Sequence, residues 1–174
     1  VIQNKVAGYD RSGDDRFQYI SALHKSIRNS DVDASLFWLY RMLEGGEDPL
    51  YILRRLVRMA VEDIGLADPD ALRLCLNAKQ AYEFLGSPEG DLFLAEAAVY
   101  LAVAPKSNAL YATDGKMKQI TEKYKMLPVP LAIVNPDNFI AAGKGAGKDY
   151  VYAHDLPEKT SLLQLGDETA ALVG

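Results

Sequence analysis

Only one cysteine, Cys75, stands in 174 residues, so no disulfide can close within the chain. That count fits a reducing compartment. Histidine is nearly as scarce, with His24 and His154 the only two. Neither sits in an HExxH, ExxH or Cys/His spacing, which speaks against a metal site. No run reaches the ~18 apolar residues that a membrane span needs. The first residues, VIQNKVAGYD, lack the basic-then-apolar order of a secretory signal. Val1 in place of Met points to a piece of a longer chain. Positive charge is also short. The 19 Lys and Arg against 24 Asp and Glu give a net −5, which argues against a wholesale nucleic-acid coat but leaves room for a local basic stripe. Strand-type alternation and low-complexity segments are absent.

What is present is helical. Apolar residues make up 49% and charged residues 25%, an ordinary globular balance. A chain of this length can bury about 70% of its unfolded surface, enough for a core without staples. The chain is organised around Glu47 to Pro69, EDPLYILRRLVRMAVEDIGLADP. Asp48 caps and Pro49 takes the first helical position, where its missing N–H costs nothing. Leu50, Leu53, Leu56, Val57, Ala60, Val61 and Ile64 recur at helical steps and form one apolar face. Gly65 permits a stop, and Asp68-Pro69 starts the next helix by the same device.

The same reasoning predicts helices over about Asp15–Ile27, Val32–Glu44, Pro69–Leu85, Leu92–Ala104 and Ser107–Lys125. Phe17, Ile20, Leu23 and Ile27 mark the buried side of the first, and Asn29-Ser30-Asp31 a capped turn after it. In the fourth, Leu72, Leu76, Ala78, Tyr82 and Leu85 are the expected core contacts. Ser87-Pro88 is expected to start the fifth. Leu92 to Ala104 holds one polar residue, Glu96, and is the candidate for the deepest helix. Asp137–Ala142 predicts a short turn, Gly143–Gly147 a loop, and Tyr150, Val151 and Tyr152 an extended segment tucked on the helices. Pro49, Pro69 and Pro88 fall about twenty residues apart, but the intervening sequences differ, which disfavours a repeat.

The motifs have plain readings beside sharper ones. GKGAGKD, Gly143 to Asp149, fails as a phosphate loop: Ala142 stands where the first glycine belongs and Asp149 where Ser or Thr would bind magnesium. Arg54, Arg55 and Arg58 form either a solvated flank with local ion pairs, Arg58 to Glu62 among them, or a phosphate-facing or intersubunit surface. Lys25 and Arg28 could extend that patch. Glu62 and Asp63 are adjacent and point about 100° apart on a helix, so sharing a proton or metal is not expected. Pairing with a neighbouring arginine, or capping the next helix, is. His24, beside the Ile20–Ile27 face, is expected to be packed and hydrogen-bonded. Ala104 to Asn108, APKSN, caps the sixth helix. Phe37, Trp38 and Tyr40 form an aromatic cluster for the core or for a subunit contact.

Several of these stretches carry a resemblance. ISALHKSIRNSDVDASLFWLYRMLEGG, EDPLYILRRLVRMAVEDIGLADP, YEFLGSPEG, VYLAVAPKSNALY, LPVPL and YAHD resemble the C-terminal region of the replication-associated recombination protein A family, in one order from Tyr9 to Asp155. That family is AAA+ and is related to the Werner-helicase-interacting ATPases. The segment AIVNPDNFIAAGKGAG departs from it.

The resemblance implies an all-α domain, a compact, clamp-loader-collar-like bundle of about six helices with an extended C-terminal tail. Residues 1–13 would lead in from an ATPase lid, 14–155 form the helical oligomerisation domain, and 156–174 a tail. It implies a homotetramer that joins ATPase modules at stalled replication forks. The fragment itself would have no catalytic residues, no cofactor and no metal. ATP and magnesium would bind the parent's ATPase module. DNA would be met through the full-length protein, with single-strand-binding protein or the replicative helicase as further partners, in a bacterial cytoplasm at the nucleoid. The alternative is a monomeric helical adaptor for a replication protein or DNA. The contacts expected are Phe37, Trp38 and Tyr40 at the oligomer interface, and Lys25, Arg28, Arg54, Arg55 and Arg58 at DNA or between subunits.

Overall fold

Asp48 and Pro49 do what the sequence leads one to expect. In a computed structural model, Asp48 Oδ1 accepts the Leu50 N–H at 2.9 Å and Pro49 opens a helix. Residues 14–135, 143–148 and 150–155 are described. The expected turn over 137–142 and the tail after 155 lie outside them. The described residues form six α-helices and no strand. These are α1 (Asp14–Arg28), α2 (Val32–Glu44), α3 (Pro49–Met59), α4 (Asp70–Leu85), α5 (Asp91–Val103) and α6 (Ala109–Lys123). None is long and apolar enough to cross a membrane.

The chain divides into two units, Val1–Ala112 and Thr113–Gly174. In the first, α1 packs on α2, α2 on α5, and α5 on α4, with α3 against both α4 and α5. Its core holds Ile20, Leu23 and Ile27 from α1, Leu39 and Met42 from α2, and Ile52, Leu53, Leu56 and Met59 from α3. From α5 come Leu94, Ala97, Ala98 and Leu101. Phe17 departs from expectation, lying 71% exposed one turn before the buried stripe of α1 begins.

On α4 the buried stripe is Ala71, Cys75 and Ala78, while Leu76 and Leu85 are exposed. Small residues there face the alanines of α5, so the helix backbones approach closely and the larger leucines are displaced to the flanks. Burial pushes the Cys75 thiol up to about 12 from its usual 9.0. The folded chain therefore keeps a proton that the unfolded chain releases. This contribution is whole below pH 9 and is lost as pH rises from 9 towards 12. Stability in urea should fall above pH 9, by up to roughly 1.4 kcal/mol per pH unit from this group. A Cys75→Ala variant should show a shallower alkaline fall, and an unchanged slope would rule Cys75 out as its source.

Ser87-Pro88 does not start α5. The bond is cis and lies in a turn, and the helix begins at Asp91, whose carboxylate accepts the Ser87 hydroxyl at 2.5 Å. Gly90 fits this turn because a Cβ there would stand 2.6 Å from the Gly86 carbonyl oxygen.

The second unit contains the remainder of α6, with Met117 and Ile120 half-buried, and short 3-10 turns at Leu131–Ile133 and Ala153–Asp155. Gly147 donates its N–H to the Leu131 carbonyl at 2.9 Å. Tyr150, Val151 and Tyr152 are exposed, so the expected tuck is not reflected in their burial.

Candidate functional site

After Met59 the helix of α3 does not simply continue. Ala60–Ile64 form a π turn, and Gly65 then takes a positive φ of 53°, which ends it. The wider turn places Asp63 inward, 4% exposed, and Glu62 beside it, 14% exposed. Two side chains on α1 meet them. Arg28 Nε donates to Asp63 Oδ1 at 2.6 Å, and Arg28 Nη2 to Glu62 Oε1 at 3.2 Å. His24 Nε2 lies 2.6 Å from Asp63 Oδ2, so that nitrogen carries the proton and donates it. Arg58 Nε donates to Glu62 Oε2 at 2.8 Å, the pair expected at i,i+4.

The expected pairing of Glu62 and Asp63 with a neighbouring arginine is present. One guanidinium spans both, because the π turn resets their angle and the arginine fork is wide. The hydrogen bond to Asp63 is the chief cause of a raised Arg28 pKa, as the bond to Glu62 is for Arg58.

A third segment joins this hub. Ser107 donates its N–H to the Asp63 carbonyl at 2.7 Å. Lys106 Nζ donates to the Ala102 and Ala104 carbonyls and to Ser30 Oγ, at 2.9, 2.7 and 3.1 Å. Burial lowers the Lys106 pKa, with Asp63 opposing. The APKSN segment therefore does more than cap α6: it ties the end of α5 to the α1–α2 turn. A cleft of about 650 Å³ beside the hub is lined by Arg28, Glu62, Lys106, Asn108 and Tyr111. His24, Glu62 and Asp63 bring three donor atoms within 4.8 Å of one another. Sequence spacing hides this group, since His24 and Asp63 are 39 residues apart. Its negative charge is already matched by Arg28 and Arg58, and a metal ion would have to displace a guanidinium.

The five basic residues singled out in the sequence thus fare differently. Arg28 and Arg58 are joined through Glu62. Lys25 and Arg54 are exposed and make no ion pair among the described residues. Arg55 is half-buried, with its Nε buried and unpaired.

The aromatic cluster also splits. Trp38 is half-buried and packs at a 40° tilt on Tyr19, ring centres 5.7 Å apart, while Phe37, 60% exposed, meets it edge-on at 5.0 Å. Tyr40 is exposed and lines an apolar groove of about 530 Å³ with Leu36, Leu74, Leu92, Val99 and Val103. Leu74, Glu96 and Tyr100 belong both to this groove and to a polar extension containing Asp70, Arg73 and Asn77. Sequence reading did not single out this α2–α4–α5 groove. Its signal was the excess apolarity of Leu92–Ala104, which is too great for burial on one side alone.

Fold and site together define an all-helical domain with a saturated internal ion-pair hub and an apolar outer groove. Comparison with known proteins gives the family: residues 29–170 match the model described as MgsA AAA+ ATPase C terminal, and the chain belongs to that family. It is 48% identical over 155 residues to a Coxiella burnetii protein named replication-associated recombination protein A, covering 89% of this chain and 35% of that protein. It is 45% identical over 165 residues to a Dictyostelium discoideum protein named ATPase WRNIP1, covering 95% of this chain and 19% of that one. An Escherichia coli K12 replication-associated recombination protein A is 40% identical over 155 residues, covering 89% and 35%. The chain thus spans about a third or less of the length of these relatives.

Proposed function

We propose that this domain is the self-association module of a replication-associated AAA+ ATPase. It joins copies, as a homotetramer, while ATP is hydrolysed by a module outside this sequence. The observation that carries the reading is the apolar groove with its rim. Leu92 and Val103 are 67% and 65% exposed on a helix whose other face is deep core, and Tyr40 stands beside them on α2. Contiguous apolar surface of this kind is rare on monomers and common at interfaces. Joined modules would then act together on DNA at replication intermediates, the setting that the relatives' names indicate. Exposed Lys25 and Arg54 are the residues left to meet phosphate, and such contacts would weaken with salt. Light scattering or sedimentation equilibrium tests the module directly. The expected mass is that of a tetramer, with smaller species appearing on dilution. A monomer at every concentration would refute self-association.

A further inference from the structure

His24 Nε2 has two close neighbours that it cannot satisfy at once. Asp63 Oδ2 lies 2.6 Å away and Arg28 Nη2 3.0 Å away. An imidazole nitrogen either carries a proton and donates, or lacks one and accepts. With the proton on Nε2 the ring serves Asp63, and the second approach sets its N–H against the guanidinium hydrogens. With the proton gone it serves Arg28, and a lone pair faces a carboxylate. A cation that carries no hydrogens removes the conflict, because the nitrogen lone pair and both carboxylates can face it together. The Arg28 guanidinium marks the place. Its Nη2 lies 3.0 Å from His24 Nε2 and 3.2 Å from Glu62 Oε1, while its Nε donates to Asp63 Oδ1 at 2.6 Å.

His24, Glu62 and Asp63 each offer one ligand atom, all within 4.8 Å of one another. One imidazole and two carboxylates suit a borderline divalent ion, Zn2+ above all, at bonds of about 2.0–2.2 Å with water completing the shell. The cleft beside Glu62 and Asp63 gives ion and water a way in. The π turn brings two consecutive acids to one cation, and such turns concentrate at functional sites. Arg28 is the last residue of α1 and 51% exposed, so its side chain can swing out without moving the helix. Arg58 can remain on Glu62. We propose that His24, Glu62 and Asp63 form a site for a zinc-class ion, and that Arg28 holds its place until the metal displaces it. On binding, the His24 proton leaves Nε2 for Nδ1, which has no partner among the described residues. The ion then joins α1 to the π turn as the guanidinium did. Nothing in this site depends on self-association.

The chain, stripped of metal with a chelator, is titrated with Zn2+ by calorimetry beside Arg28→Gln, His24→Gln and the control His154→Gln. Circular dichroism checks that each is folded. One ion per chain is expected. Arg28→Gln removes the competing cation and should tighten binding about tenfold. His24→Gln removes a ligand and should weaken it by more than about tenfold, while His154→Gln leaves it unchanged. A purely structural ion-pair hub predicts no such opposition between two residues of one helix. Three results overturn the site: no uptake by either the wild type or Arg28→Gln, binding that survives His24→Gln, or weaker binding in Arg28→Gln than in the wild type. Should Arg28→Gln unfold, X-ray absorption at the zinc edge of the wild type decides. One imidazole nitrogen among oxygen ligands, lost in His24→Gln, upholds the site. A sulfur ligand, or an imidazole retained in His24→Gln, overturns it.

Discussion

Asp63→Ala should cost the first unit about 3 kcal/mol, the largest effect expected from any single polar residue here. The side chain is nearly inaccessible, and it accepts from Arg28 and His24, both at 2.6 Å. Removing one member of a buried pair typically costs about 3–5 kcal/mol, because the other charge is left without a partner. The low end applies here, since Arg28 is 51% exposed and water can reach its freed guanidinium. His24, only 14% exposed, has less recourse. A thermal melt followed by circular dichroism should drop by roughly 10 °C. Glu62→Ala, which frees two arginines that are each more than half exposed and can be reached by water, should cost about 1 kcal/mol. The order of the two variants is the sharper test: if Glu62 matters more than Asp63, the hub is not a bolt between α1 and the π turn.

The helix ends of this fold were written in the local sequence, because capping and proline chemistry act within a few residues. Asp31 accepts the Ala34 N–H at 2.9 Å, and α2 runs over the predicted Val32–Glu44. Asp68 accepts the Asp70 N–H at 3.1 Å, and Gly86 ends α4 with a positive φ of 71°. Which face of a helix goes inward was less legible where helices approach closely. On α4 the expected Leu72, Ala78 and Tyr82 do pack on the core, but Leu76 and Leu85 are exposed, and close approach to α5 selects Ala71 and Cys75 instead. Ile52 and Met59 escaped for a related reason: α3 packs against both α4 and α5, so its buried stripe is broader than a single face. The π turn was not legible at all. Nothing local in AVEDI distinguishes it from an α turn, and its geometry is fixed by partners 35 and 39 residues earlier. The candidate interface was half legible. Phe37 and Tyr40 do face outward, but the other half of the groove comes from α5, whose apolarity looked like burial.

That ambiguity is what the second large prediction exploits. Tyr40→Asp combined with Val103→Asp should leave the fold of one chain nearly unchanged and abolish its assembly. Tyr40 is 42% and Val103 65% exposed, so within a single chain each substitution is a surface change worth about half a kcal/mol or less. Across a symmetric contact each change occurs twice, and it places an unpartnered carboxylate where apolar surface must be covered. Aromatic anchors at interfaces typically carry about 2 kcal/mol or more each. The combined loss should therefore pass roughly 4 kcal/mol, a thousandfold in dissociation constant. Sedimentation equilibrium should find monomer where the wild type is assembled, with melting measured on both at the same dilution. Two results count against the groove as the seat of assembly. One is a double variant that stays assembled. The other is a double variant that unfolds as a monomer, because α5 would then owe its apolar outer face to the core of its own chain rather than to another copy.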